Sequence, residues 1–418
     1  MSPSQLIVAC DFGSTLFKAL LVEVSESGNL NVLGTGQVAA EGFEDGDFVD
    51  LRAGSRAIAR TIRAVETAAD VDISAFFYNI SGSHLHSVWA RGQVQIGPGP
   101  RGIRQSDLDN VLNKARSLVI PFDNWICAVN PVEYAVDRVR GIVNPLGRIG
   151  SQLEVEAHLT TASRSVVRNI ERAIEMAGYE VAGRAVDILA AATALLSVRE
   201  QKEGAMLLDV GGSSTSWALF RNNRLVGTGM VPWGGGQLTS DLAHGLRISQ
   251  DEAERIKCDR GITLRSLEAE ISPEALFEEA RPEESPALVA AILEPRMEEI
   301  FSLVKQNIGD ARQITGLGAG IVLTGGGSRC RGTARLCEEV FGVPVLRRYL
   351  PSQLAVEPEL SQGQWATAVG LAMWAAGSVP EVELAASAEA GGASAVWQRV
   401  RRLLGRRGSG PERPVMRD

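Results

Sequence analysis

The sequence predicts a two-lobed α/β protein made by duplication, and two stretches predict it. In residues 205–221, AMLLDVGGSSTSWALFR, an apolar run drives into an aspartate, two glycines and three hydroxyls before a second strand-like run. In residues 6–24, LIVACDFGSTLFKALLVEV, the same order of apolar run, aspartate, glycine, hydroxyl and apolar run occurs. Each reads as a β-hairpin gripping an anion. Glycine lets backbone N–H groups approach a phosphate, hydroxyls add donors, and an aspartate at a strand end holds Mg²⁺ through water. Either copy alone reads equally well as an ordinary hairpin with a satisfied aspartate, because Gly, Asp and Ser are common turn residues. A third observation is length: 418 residues are enough for two lobes, each with its own core.

Composition narrows the class. The chain is 45% hydrophobic, 22% charged and 5% aromatic with a net charge of −8, the balance of a soluble α/β protein and not of a dedicated nucleic-acid binder. Its five cysteines lack metal-ligand spacing and their odd count argues against a disulfide framework, so a reducing cytoplasm is expected. The start, MSPSQ, offers neither a charged leader nor an h-region of signal-peptide length, and no run has the length of a transmembrane span. The four histidines show no ligand or triad spacing, which predicts structural roles. Only five of the 42 basic residues are lysines, at 18, 114, 202, 257 and 305.

In chain order, residues 7–24 and 30–35 predict three antiparallel strands. The spacing of Ala57, Ile58, Ile62, Ala64 and Val65 predicts a helix over 51–69. A parallel strand over 76–80 follows, ended by Gly82. From 84 to about 160 the pattern changes: strands at 87–96, 125–137 and 152–160 surround a helix at 105–117 capped near Ser106, the signature of a small inserted α/β unit. A helix at 163–178, a strand at 180–186 and a helix at 188–199 lead into the second hairpin and a third strand at 224–232. Residues 239–314 read as helical, apart from a short strand at 261–264 and a loop at 282–286. A buried strand at 320–324 feeds Gly325-Gly326-Gly327-Ser328, then a helix at 333–341, a strand at 343–347 and a last helix at 365–376.

Past residue 379 a Glu-, Ala-, Ser- and Gly-rich tether is too poor in apolar residues to fold. Within 394–406, Val396, Trp397, Val400, Leu403 and Leu404 share one arc of a helix of about 120°, with Arg399, Arg401 and Arg402 on the rest. Such a stripe normally faces a core. The tether, the single tryptophan and the five arginines between 397 and 407 favour a helix lying in an anionic membrane interface.

Two hairpins facing each other across a cleft supply two aspartates, Asp11 and Asp209, to a triphosphate and its Mg²⁺, and the glycine loop at 325 to 328 lets an adenine lie flat against backbone. This order of pieces resembles the actin-like ATPase superfamily, whose fold is a duplicated ribonuclease-H-like one. Asp11, Gly13, Ser14, Thr15 and Lys18 look like its first phosphate loop, and Asp209, Gly211 and Gly212 like its second. Asp187 matches the position that orients the attacking water, and Gly325, Gly326, Gly327 and Ser328 match the adenosine motif. Residues 227–257 are similar to a stretch of the bacterial cell-division FtsA family in which a glycine turn, here Gly234, Gly235 and Gly236, and a Glu-x-x-Lys pair, here Glu254 and Lys257, reach the nucleotide. The second loop departs from the family's Asp-x-Gly-x-Gly-Thr: Ser213 and Ser214 stand at its last two positions, and a Cβ at Ser213 narrows the approach of phosphate. Bland alternatives remain beside these assignments: a solvated strand residue for Lys18, a helix N-cap for Asp187, and a surface ion pair for Glu254 and Lys257.

The resemblance implies subdomain IA at 1–83 and 161–204, an inserted IC at 84–160, IIA at 205–240 and 314–378 with the return helix, and IIB at 241–313. A linker at 379–393, a membrane-targeting helix at 394–407 and a disordered tail at 408–418 follow. It implies an ATP-binding protein, at most a weak ATPase, that polymerises with itself, binds other division proteins and tethers the FtsZ ring to the inner face of the cytoplasmic membrane. Arg296 is implied to lie near the surface that takes the FtsZ C-terminal peptide. The alternatives are a PilM-like adaptor of pilus assembly, which has no need of the basic tail helix, and a sugar kinase, which needs a catalytic base that no aspartate here matches.

Overall fold

The computed structural model describes residues 5–25, 29–97, 99–117, 121–266, 285–348, 350 and 363–377. The expected linker, the amphipathic helix carrying Val396 to Leu404 and the final tail lie outside the described residues.

The duplication is visible strand by strand. The first lobe holds β1 (Gln5–Phe12), β2 (Leu16–Val24), β3 (Leu30–Ala39), β4 (Ala75–Ile80) and β5 (Glu180–Val186). The second holds β6 (Ala205–Val210), β7 (Thr215–Arg221), β8 (Arg224–Val231), β9 (Gly320–Thr324) and β10 (Val345–Arg347). Their orders are 3-2-1-4-5 and 8-7-6-9-10. In both, the first three strands run antiparallel and the last two join in parallel. Helices bridge the parallel connections, as such crossovers require: α1 (Leu51–Ala69), α2 (Arg164–Met176), α3 (Asp187–Leu195), α4 (Gly235–Leu246), α5 (Gln250–Arg260), α6 (Pro286–Ile308), α7 (Thr333–Phe341) and α8 (Ala366–Ala375) complete the two lobes.

Period-two alternation divides the sheet residues between cores. Val8, Cys10 and Phe12 point to a first-lobe core with Ile58 and Ile62 of α1, whereas Ile7 and Ala9 point inward. In the second lobe Met206, Leu208 and Val210 face Leu238, Leu242, Val289 and Phe301, whereas Ala205 and Leu207 point inward. Between the sheets α3 and α8 cross, both alanine-rich, so that the central core joins the lobes. The crossing is backbone to backbone: a Cβ on Gly370 would stand 1.7 Å from the carbonyl oxygen of Ala190.

The insert is a four-stranded sheet ordered 139–142, 124–136, 152–163 and 86–95, with the helix Gln105–Arg116 on one face. Leu153, Val155, Ala157 and Leu159 meet Val111, Leu112 and Ala115 there. Its other face leans on the second lobe, where Ser87 Oγ donates to Thr228 O (2.7 Å) and Arg224 donates to Ile142 O (3.0 Å) and to Val132 O.

Several expected boundaries move. The helix expected over 188–199 is two, because Ser197 breaks away to cap Val198–Glu203 in a capping box with Glu200. The strand expected at 261–264 is one bridge, Ile262 to Arg331. The insert helix starts at Gln105, and the Asp107 carboxylate takes the Arg104 N–H (2.8 Å), leaving Ser106 without the capping role. Asp187 is the first residue of α3, whose cap is Val186, so it is not an N-cap aspartate.

Candidate functional site

Both hairpin turns point into one cleft of about 510 Å³ between the lobes. The two turns are built alike. Gly13 N–H donates to Leu16 O (3.2 Å), and Gly211 N–H donates to Ser214 O (2.9 Å). A Cβ at Gly13 or Gly211 would lie 2.9 or 3.0 Å from that same carbonyl oxygen, which is why glycine stands at both positions. The tips meet: Ser213 N–H donates to Ser14 Oγ (3.1 Å), and a Cβ on Gly212 would come 2.5 Å from Thr15 Oγ1. The backbone group of Ser213 is thus held by the opposite hairpin.

Five carboxylates line the cleft, Asp11, Asp187, Asp209, Glu254 and Asp259, with Lys18, Lys257 and Arg329 among them. Asp11, 6% exposed at the end of β1, receives a hydrogen bond from Lys18 Nζ at 2.9 Å, and Lys18 also donates to Gln364 O. Lys18 is therefore not a solvated strand residue. Burial, and then the charge of Asp11, push the Asp209 carboxyl up to about 6, against the pull of Lys18. Asp187 goes further. Burial first, then the charges of Asp209 and Asp11, raise it to about 8, although the Ile188 N–H works the other way. Asp187 Oδ1 is shut off from solvent and has no hydrogen-bond partner. Like charges gathered in a low-dielectric cleft raise one another, and a buried orphan oxygen is costly unless something binds it.

The remaining expected residues divide by position. Gly325, Gly326 and Gly327 line the cleft beside Asp209. Gly325 has φ +89°, and a Cβ there would stand 2.2 Å from Asp209 Oδ1. Ser328 is buried behind them, its Oγ donating to Gly325 O (2.8 Å). Of the 234 to 236 run only Gly235 reaches the cleft. Gly235 and Gly236 donate to Gly211 O (2.8 Å) and Gly212 O (2.7 Å), so the run seats the second hairpin from behind. Glu254 and Lys257 (2.6 Å) are more than a surface pair: Lys257 Nζ also donates to Thr239 Oγ1 (2.9 Å) and Gly235 O (3.1 Å), tying α5 to the start of α4. Arg296 lies on α6 with its guanidinium 4.8 Å above the Trp233 ring, ion-paired with Asp241 (2.5 Å) and Glu299.

Sequence reasoning missed Asn79, whose Oδ1 takes the Phe12 N–H (2.7 Å) on the cleft floor, and Thr367 and Gln364, which line the wall. The signal for Asn79 was there, as the polar residue in the otherwise apolar strand AFFYNI. Among the described residues, no group of three or more His, Cys, Asp or Glu closes into a metal cage.

A family model described as "Cell division protein FtsA" matches residues 206–370, and one described as "SHS2 domain inserted in FTSA" matches 82–161. The "Cell division protein FtsA" of Pseudomonas aeruginosa is 31% identical over 373 residues, 88% of this chain and 89% of that one. That of Borreliella burgdorferi is 32% identical over 375 residues, 88% and 90% of the two chains. Among solved structures, a chain of a "PilM-PilN type IV pilus biogenesis complex" superposes with a TM-score of 0.61 at 18% identity, covering 90% of this chain and all of that one, a likeness of fold. With the duplicated lobes, the insert and these relatives in view, the chain belongs to the FtsA family of cell-division proteins and has the actin-like fold.

Proposed function

We propose that the chain binds ATP in the cleft, forms filaments, and tethers the FtsZ ring to the inner face of the cytoplasmic membrane at the division site. The observation that carries the nucleotide reading is the pair of identically built glycine turns meeting over Asp11, Asp209 and Asp187. Five carboxylates against Lys18, Lys257 and Arg329 leave the cleft with an excess of acid, which fits Mg²⁺: Asp11 and Asp209 are the residues to hold it, through water as this ion prefers. Bound there, the ion neutralises charge on the phosphates. Lys18 and the turn N–H groups position phosphate, the 325 to 327 loop receives the adenosine, and Glu254 and Lys257 reach toward the sugar. The orphan oxygen and raised pKa of Asp187 support a role for it in orienting a water and taking its proton. Hydrolysis is expected to be slow, since the Ser213 N–H is already spent on Ser14.

Titration of a fluorescent ATP analogue with Mg²⁺ tests this. Gly325→Val puts a branched side chain at a positive φ against Asp209, and an affinity loss of at least about tenfold, or about 1.4 kcal/mol, is expected. An unchanged Kd overturns the nucleotide assignment.

No helix among the described residues is long and apolar enough to cross a membrane. We assign the membrane role to the segment at 394–407 on its apolar residues and arginines, and the FtsZ peptide to the α6 side of the second lobe, with Arg296 there. The full chain is expected to carry FtsZ into the pellet with phosphatidylglycerol vesicles, and Trp397→Glu to leave it in the supernatant. FtsZ that pellets equally with both chains sinks the tethering reading.

A further inference from the structure

The insert ends, on the side away from the first lobe, in a surface that the nucleotide cleft does not use. Ile103 N–H donates to Arg148 O and Gly147 N–H to Ile103 O, both at 2.9 Å. The Asp137 carboxylate takes the N–H groups of Ser151 and Gln152, also at 2.9 Å. These bonds draw residues 101–104, 137–142 and 147–151 into one surface.

Arg104, Arg138, Arg140 and Arg148 are exposed on it and make no ion pair among the described residues. The nearby carboxylates are already engaged: Asp107 by Arg101, Asp137 by backbone, and Glu133 by the Gly141 N–H (3.0 Å). Between the arginines stand Val139, Val143, Leu146 and Ile149, exposed to 59, 67, 43 and 74%. They are four of the eleven exposed large hydrophobics among the described residues, so the patch is a concentration and not scatter.

Geometry selects the occupant. The edge strand Val139–Ile142 is bulged, Gly141 has φ +78°, and its N–H is taken by Glu133, so no added strand finds a row of free backbone groups. Aliphatic side chains on loops, ringed by guanidinium groups that pair with phosphate, match the headgroup boundary of an anionic bilayer. In a chain of net charge −8, a local basic face is what lets the body approach such a surface.

We propose that this end of the insert is a second membrane contact, which binds anionic phospholipid headgroups and fixes how the body sits on the bilayer. It rests on the reading that the chain works at a membrane, but not on the segment at 394–407. The test is sedimentation of the full chain with phosphatidylglycerol or phosphatidylcholine vesicles, comparing Arg138→Gln/Arg140→Gln/Arg148→Gln, Trp397→Glu and their combination. The triple variant is expected to lose affinity for phosphatidylglycerol by about tenfold or more in both backgrounds, with a shallower salt dependence. Val143→Asn/Ile149→Asn is expected to weaken it similarly without altering charge. Triple and apolar variants that keep wild-type circular dichroism and wild-type lipid affinity overturn the proposal, and point the face toward an acidic protein. A triple variant that weakens while Trp397→Glu does not sinks the tail reading and leaves this one standing.

Discussion

Replacing Gly370 by leucine is expected to break the join between the lobes. At this position α8 lies on α3 so closely that even a Cβ would come 1.7 Å from Ala190 O, a contact with backbone that no rotamer relieves. Overpacking of a core costs about 1–3 kcal/mol when side chains can shift, and a backbone clash belongs at or above the upper end. A loss of about 3 kcal/mol or more is therefore expected, a fall of roughly 6 °C or more in Tm for lobes of this size. Thermal unfolding followed by circular dichroism measures it. Gly326 supplies the control, since a Cβ there meets nothing within 4 Å, and Gly326→Ala is expected to unfold with the wild type. A Gly370→Leu midpoint within a degree of wild type contradicts the helix crossing.

Asp187→Asn is expected to stabilise the nucleotide-free chain at alkaline pH while slowing ATP turnover. The sign follows from the folded pKa of about 8 against an ordinary value of 3.8. A carboxyl raised by folding costs the folded state nothing below its unfolded pKa, and costs progressively more as pH rises to the folded one. Wild-type stability is therefore expected to fall from about pH 4 to pH 8 and to level off above it, and past the Asp209 transition near 6 the remaining fall belongs to Asp187. Asparagine keeps the shape and cannot ionise, so the variant is expected to lose that slope, a relative gain of about 2 kcal/mol between pH 6.5 and 8. Denaturant titrations at the two pH values, beside steady-state ATPase assays, check both halves. Equal slopes in the two chains mean that folding does not raise the Asp187 carboxyl. A more stable but slower variant is the pattern of a group held strained for function.

The two proposed membrane contacts, the insert and the segment at 394–407, would differ in consequence. An anchor at the end of the chain alone would hold the body near the bilayer in any orientation. A second contact through Arg138, Arg140 and Arg148 would add a fixed face, and a filament of bodies that share one orientation would present its partner-binding surfaces to the same side.

The repeat of apolar run, aspartate, glycine and hydroxyl was enough to establish the duplication, since hairpins and buried strands are written in local periodicity and turn chemistry. Asp11, Gly13, Asp209 and Gly211 were legible for that reason: their neighbours in sequence are also their neighbours in the turn. Helix ends were less so, because Ser197 and Asp107 chose their roles through side-chain bonds that propensity does not specify. What only the tertiary structure decided concerns residues far apart in the chain. It turned the 234 to 236 glycines toward the back of the second hairpin, put Asn79 under Phe12, and paired the Ser213 N–H with Ser14. It also set Asp187 against Asp11 and Asp209, and Gly370 against Ala190. Sequence by itself determined which turn residues would be able to reach a phosphate, because that depends on local backbone and side-chain type. How many of their groups are left free to do so depends on packing between lobes, where the nearest atom belongs to a residue nearly 200 positions away.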